Sequence, residues 1–149
     1  MAFAIGFAGV LDLLTKRFIV TSFHPFERRV IIPGTLDLTY VQNQYGATGL
    51  FGDRPALLIA LAAAVIAFLA YVLRDTVRRS ALAQIGFGLV VGGAIGNVVD
   101  RFIHHFVVDF IAPRGFYVFN VGDACISIGI ALVVVAGFRP APGVATLRR

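Results

Sequence analysis

Two long stretches without a charged residue limit this chain more than any other feature. Ala56 to Leu73 is an uncharged apolar run of 18 residues, and Ala81 to Val99 is another of 19 whose only strongly polar members are Gln84 and Asn97. About 20 apolar residues in a helix cross the hydrocarbon core of a bilayer, so both runs read as transmembrane spans. Composition agrees. Of 149 residues, 58% are hydrophobic and 14% charged, against about 25% charged in soluble domains, which argues against a water-soluble globule. Val118 to Phe138 forms a third span of 21 residues with Asn120 and Asp123 in its first turns. The first span, about Ala2 to Val20, is interrupted by Asp12, Lys16 and Arg17. It resembles a secretory signal peptide superficially, but no Lys or Arg precedes the apolar run and Asp12 lies within it, so it reads as a retained helix.

The expected fold is therefore an all-α integral membrane protein of four transmembrane helices, a single domain over 1–149. The spans are 2–20, 56–73, 81–99 and 118–138, with outer loops 21–54 and 100–117 and a flexible tail 140–149. Four spans put both termini on one side. Six basic residues fall on that side and seven on the other, so the raw count favours neither face. Density does: Arg74, Arg78 and Arg79 crowd the short link between the second and third spans, a local cytoplasmic retention signal that places the termini in the cytoplasm. In the first outer loop, Val30 to Ile32 runs into Pro33-Gly34, and Thr35 to Val41 alternates polar with apolar. That pattern predicts a half-buried strand in a hairpin or small sheet lying on the membrane surface. Phe102, Phe106, Phe110, Phe116, Tyr117 and Phe119 cluster near the second outer loop, as suits rings anchored at headgroup level.

The net charge of +5 comes from 13 Lys and Arg scattered through an apolar chain, not from a basic stripe, and nucleic acid is not expected as a partner. Cys125 is the only cysteine, so no internal disulfide forms. Adjacent His104 and His105 point apart on a helix or strand, and HExxH, GxSxG and Walker patterns are absent; neither a metal nor another cofactor is expected.

Ionisable groups inside a bilayer cost about 2.5–3.5 kcal/mol each on insertion scales and call for a use. Asp12 and Lys16, four residues apart, fit a structural ion pair that offsets its own burial. Asp100 and Arg101 fit equally an interfacial helix end or a functional pair. Asp109 and Asp123 each interrupt an apolar stretch at the same outer face. Two carboxylates in a poorly hydrated site do not both ionise easily, so one keeps a proton while the other stays charged, an acid and a base together. Such a pair can activate water against an amide carbonyl and protonate the leaving amine. From the residues alone, unrelated interfacial aspartates or a proton relay of a small transporter, running through Asp12, Asp109 and Asp123, stand beside that reading. Paired halves, frequent in transporters, are not visible here. Gly93, Asn97, Asp100 and Arg101 share one helix face, and Asn120 lies one turn before Asp123, so these side chains could hold the carboxylates or a substrate backbone. Gly88, Gly92 and Gly96 form a separate ridge of small residues suited to helix packing.

The stretch Gly92-Gly93-Ala94-Ile95-Gly96-Asn97-Val98-Val99-Asp100-Arg101, followed by Val107-Val108-Asp109-Phe110-Ile111 and Phe119-Asn120-Val121-Gly122-Asp123, resembles the signature of signal peptidase II, the bacterial lipoprotein signal peptidase. Asp12-Leu13-Leu14-Thr15-Lys16 resembles the family's Asp-x-x-Thr-Lys motif, and Tyr40-Val41-Gln42-Asn43 the start of its outer-loop motif. The resemblance implies four membrane helices, a small β-structured outer platform and an aspartic endopeptidase of the bacterial inner membrane. Membrane lipids are expected as partners, and the sequence does not fix the oligomeric state, a monomer being favoured. Its substrates would be prolipoproteins whose lipobox Cys carries diacylglyceryl, cut just before that Cys. It implies Asp109 and Asp123 as the catalytic pair, Asn43, Asn97, Arg101 and Asn120 as polar active-site residues, and Asp12 and Lys16 as structural support. A catalytically inactive homologue that binds such precursors would carry the same pattern. Two departures stand out: the chain reads Asn43-Gln44-Tyr45-Gly46-Ala47-Thr48 where the family has Asn-x-Gly-x-Ala and an aromatic, and Gly122 where Ala is usual.

Overall fold

In a computed structural model that describes residues 1–44 and 54–138, the chain is mostly helical, with one small sheet. Helix α1 spans Ala2–Ser22, α2 Pro55–Arg79, α3 Ala81–His104 and α4 Val121–Gly137, while strands β1 (Arg28–Ile32), β2 (Leu36–Asn43) and β3 (Val107–Pro113) form an antiparallel sheet in the order β1-β2-β3. The tail from 139 and the Tyr45 to Thr48 part of the outer-loop motif lie outside the described residues.

The helices are apolar outward and small or polar inward. On α1 the buried residues Ala4, Ala8, Asp12, Lys16 and Ile19 recur at helical spacing, while Phe3, Phe7, Val10, Leu14 and Phe18 on the other side are exposed. Asp12 and Lys16 thus face protein. Helices α2 and α3 are long and apolar enough to cross a membrane, with mean hydropathy 2.8 and 1.7 in their best windows, and none of the α2 window is buried within the protein. An apolar helix of this length with no residue buried in the protein is compatible with lipid as solvent and not with water.

Small residues let the helices meet closely. The ridge predicted as packing surface does pack: a methyl group at Gly88 would lie 2.8 Å from the Ala4 Cβ and one at Gly92 2.8 Å from the Ala8 Cβ, both on α1. Gly86 and Gly93 lie on the α4 side of α3, where a side chain would overlap the Gly129 and Gly122 carbonyls. Helix α3 is therefore the central post, with α1 and α4 against it.

Several boundaries differ from expectation, each for a local reason. Helix α2 continues through Arg74, Arg78 and Arg79, and only Ser80 separates it from α3, its hydroxyl accepting from the Ala83 amide at 3.3 Å as the N-cap. The three arginines are the last turns of a helix, not a loop. Helix α3 extends to His104, beyond the expected Val99. The third apolar run becomes helical only at Val121, because Asn120 caps it and Phe119 instead pairs with Ile111 through Phe119 N–H to O at 3.0 Å and Ile111 N–H to O at 2.8 Å. The segment read as outer loop 100–117 contains the strand β3, held between β2 and the Phe119 bridge and buried on both faces. The predicted hairpin is present: Gly34, at φ 75°, makes the turn between β1 and β2. Val108 and Phe110 of β3 pack with Ile19, Phe23 and Tyr40, so Phe110 is core rather than an interfacial anchor, and Asp109 between them is turned to the opposite side of the strand. Phe102, Phe116 and Tyr117 are exposed.

Candidate active site

Four chain segments converge above the α3 and α4 contact. Asp109 comes from β3, where it pairs in register with Val41 of β2. Asp123 is the third residue of α4, held by a capping box: the Asn120 side chain accepts from the Asp123 amide at 2.9 Å, and the Asp123 carboxylate accepts from the Asn120 amide at 3.3 Å. That motif both starts the helix and orients the carboxylate at the positive end of its dipole. The two carboxyl groups line one cavity of about 180 Å³, together with Asn43, Asn97, Arg101, Val107, Tyr117, Val118, Ile126 and Ser127.

Side-chain amides hold both carboxylates. Asn120 donates through Nδ2 to Asp109 Oδ1 at 2.6 Å, and Asn43 donates to Asp109 Oδ2 at 2.7 Å. Asn97 donates through Nδ2 to Asp123 Oδ1 at 2.9 Å, and its own Oδ1 accepts from Asn120 at 3.1 Å. The amides thereby link Asp109, Asn120, Asn97 and Asp123 into one chain, an arrangement that fixes geometry because each rotamer is held by another hydrogen bond. Arg101 lines the same cavity and donates from Nη1 to the Asn97 carbonyl at 3.2 Å. Asp109 is only 3% exposed. Burial first, and the nearby Asp123 charge third after the opposing Asn43 hydrogen bond, push its carboxyl up to about 6. A carboxyl at that level takes and gives a proton near neutrality.

Asp12 and Lys16 sit outside the cavity wall but are joined to it. The Lys16 ammonium contacts Asp12 Oδ2 at 2.7 Å and donates to Asn97 Oδ1 at 2.8 Å. Asp100, grouped from sequence with Asn97 and Arg101 on one face, does not line the cavity with them: its Oδ2 accepts from the Val108 amide at 3.0 Å and lies 3.0 Å from Lys16 Nζ. It is a structural tie that the pattern alone did not single out. His104 and His105 are exposed, and among the described residues no three His, Cys, Asp or Glu side chains form a group suited to a metal.

Fold and site together define a membrane-embedded protein with two carboxyl groups in a shared, amide-lined cavity at one end of its helices. Residues 4–139 match the family model described as Signal peptidase (SPase) II. The chain is 39% identical over 127 residues to the lipoprotein signal peptidase of Syntrophomonas wolfei, covering 85% of this chain and 84% of that one. It is 39% identical over 142 residues to that of Pasteurella multocida, covering 87% and 83%. Among solved structures, a bacterial membrane enzyme determined by the in meso method at 2.3 Å superposes with a TM-score of 0.81 at 26% identity, covering 90% of this chain and 84% of the other. A second, at 1.9 Å, gives 0.73 at 25% identity, covering 93% and 92%. This chain belongs to the signal peptidase II family of peptidases.

Proposed function

We propose that the chain is an aspartic endopeptidase that removes the signal peptide from diacylglyceryl-modified prolipoproteins, cutting the bond before the lipidated Cys. The observation that carries this reading is the meeting of Asp109 and Asp123 in one cavity, each oxygen accepting from an amide. Asp123, at the positive end of α4, acts as the base, and Asp109, the more deeply buried, holds the proton. A water in the cavity gives a proton to Asp123 as its oxygen bonds to the scissile carbonyl carbon. Arg101 and Asn97, on the same wall, face the negative charge that develops on the carbonyl oxygen. The bond from carbon to nitrogen then breaks as Asp109 gives its proton to the leaving amine of the Cys. The products are a signal peptide with a free carboxyl group and a lipoprotein with a free N-terminus, and return of a proton from Asp123 to Asp109 resets the pair.

All four helices cross the bacterial inner membrane in this reading, with both termini cytoplasmic and the sheet on the outer surface. The arginines that end α2 support that orientation. A lipidated precursor then reaches the cavity by lateral diffusion, its signal helix among the spans and its acyl chains in lipid, while the exposed Phe116 and Tyr117, stacked with centroids 4.3 Å apart, rest at the interface. The test is incubation of the purified protein, without added metal and with a chelator present, with a diacylglyceryl-modified precursor and separately with its unlipidated form. Cleavage of the lipidated precursor alone is expected. Equal cleavage of both forms would remove the assigned substrate class, and activity lost in chelator and restored by zinc would remove the metal-free mechanism.

A further inference from the structure

We propose that Asp12, Lys16 and Asp100 are positioning residues that act as one yoke, holding the backbone immediately before each member of the carboxylate pair and so setting the distance between Asp109 and Asp123. This inference rests on the catalytic reading of that pair.

The arrangement has two matching arms. Asp12 accepts the Gly122 amide at 2.6 Å through Oδ1, and Gly122 immediately precedes Asp123. Asp100 accepts the Val108 amide at 3.0 Å, and Val108 immediately precedes Asp109. Lys16 joins the arms, with Nζ at 2.7 Å from Asp12 Oδ2 and 3.0 Å from Asp100 Oδ2. Its third contact, to Asn97 Oδ1 at 2.8 Å, continues into the cavity, because Asn97 holds Asp123. One ammonium group thus connects α1 to the start of α4, to β3 and to the amide network. Gly96 leaves the room this requires: a side chain there would overlap the Asp12 carboxylate.

Stability alone is a weak reason for such a cluster. The three residues are 0%, 2% and 3% exposed, and buried ion pairs are commonly replaceable by apolar residues of similar volume without loss of stability. Apolar replacements would fill the space but leave the Gly122 and Val108 amides without acceptors, and the strand and helix carrying the carboxylates free to shift. A displacement of about 1 Å in a reacting group is worth about 100-fold in rate.

The test uses the purified full chain, a diacylglyceryl-modified prolipoprotein as substrate, and rates normalised to folded enzyme from size-exclusion chromatography. Asp100→Ala removes the Val108 acceptor and one arm of the Lys16 clamp, and is expected to lower kcat by about 100-fold or more while KM stays within about threefold. Asp100→Asn keeps an acceptor oxygen for Val108 and is expected to recover at least about tenfold of that loss. The charged groups that act on Asp109 are Asp123 on α4, Arg101 on α3 and Lys16 on α1. Lys16→Gln removes one of the two cations and is expected to move the alkaline limb of the kcat profile upward by about half a pH unit.

The yoke is overturned if losses of activity follow only the folded yield, with Asn no better than Ala at 100 and the alkaline limb unmoved. If Lys16→Gln does not accumulate as folded protein, the comparison of Asp100→Ala with Asp100→Asn decides. Asp123→Asn, run in the same assay, separates the two readings: its retention of turnover would remove the catalytic pair itself, whereas an inactive Asp123→Asn beside fully active Asp100 variants would remove only the yoke.

Discussion

Asp109→Asn should make the protein more stable at neutral pH while removing a group on which the proposed chemistry depends. The carboxyl of Asp109 is raised from an ordinary 3.8 to about 6. At about 1.4 kcal/mol per pH unit, ionising it in the folded state at pH 7 costs about 3 kcal/mol relative to the unfolded chain. The folded state holds this proton more tightly than the unfolded one, so stability falls as pH rises. The penalty is small below about pH 4, grows between about pH 4 and 6, and is complete near pH 7. Asparagine carries no charge and escapes it. The substitution has its own cost, because both carboxylate oxygens accept from the amides of Asn120 and Asn43, and the new NH2 meets one of those donors. Losing that hydrogen bond subtracts about 1–2 kcal/mol, leaving a net gain of about 1–2 kcal/mol at pH 7. Thermal unfolding of detergent-solubilised protein should show the variant melting a few degrees higher near neutrality, at roughly 2–4 °C per kcal/mol, and no higher near pH 4.5. A variant less stable at neutral pH, or offset from wild type equally at both pH values, would refute the assignment of Asp109 as a buried carboxyl that resists ionisation.

Two further outcomes follow from the geometry. Asn43→Ala removes the 2.7 Å donor to Asp109 Oδ2, a bond that favours the ionised form, so the alkaline limb of the activity profile should move to higher pH and kcat should fall about tenfold; an unmoved limb would place Asn43 outside the site. Gly93→Val puts a side chain where the Gly122 carbonyl lies and should cost about 1–3 kcal/mol or more by forcing α3 from α4, read as a lowered melting temperature; an unchanged melting temperature would contradict the close contact.

Much of the site was legible in the sequence because its residues are costly where they stand. Asp109 and Asp123 interrupt apolar runs, where a charge is costly. The ridge of Gly88, Gly92 and Gly96 announced a close helix contact by its spacing, and Pro33-Gly34 announced a turn. Strand β3 was not legible as a strand. Held between β2 and the Phe119 bridge, it is buried on both faces, so Val107 to Ile111 shows no alternation and a short apolar run of that kind does not distinguish strand from helix. The start of α4 was readable in principle: Asn120 followed three residues later by Asp123 is an N-terminal capping pattern, but the apolar Val118 and Phe119 extend the hydrophobic run past it. Asp100 carried no local signal of its role, because its partners Lys16 and Val108 lie on other elements, and only the folded chain brings them together. The family resemblance read from the motifs agrees with the family model that matches residues 4–139. Membership in a peptidase family also weighs against a proton-linked transporter, the other use to which buried aspartates are put.

The most direct measurement is turnover of a diacylglyceryl-modified prolipoprotein by purified, folded Asp109→Asn and Asp123→Asn beside the wild type. Each variant should fall by at least about 1,000-fold, the scale of a lost acid or base, while remaining inserted and folded. Near-normal turnover by either one would mean that the two acidic side chains meeting above α3 and α4 do not share the cleavage of the peptide bond.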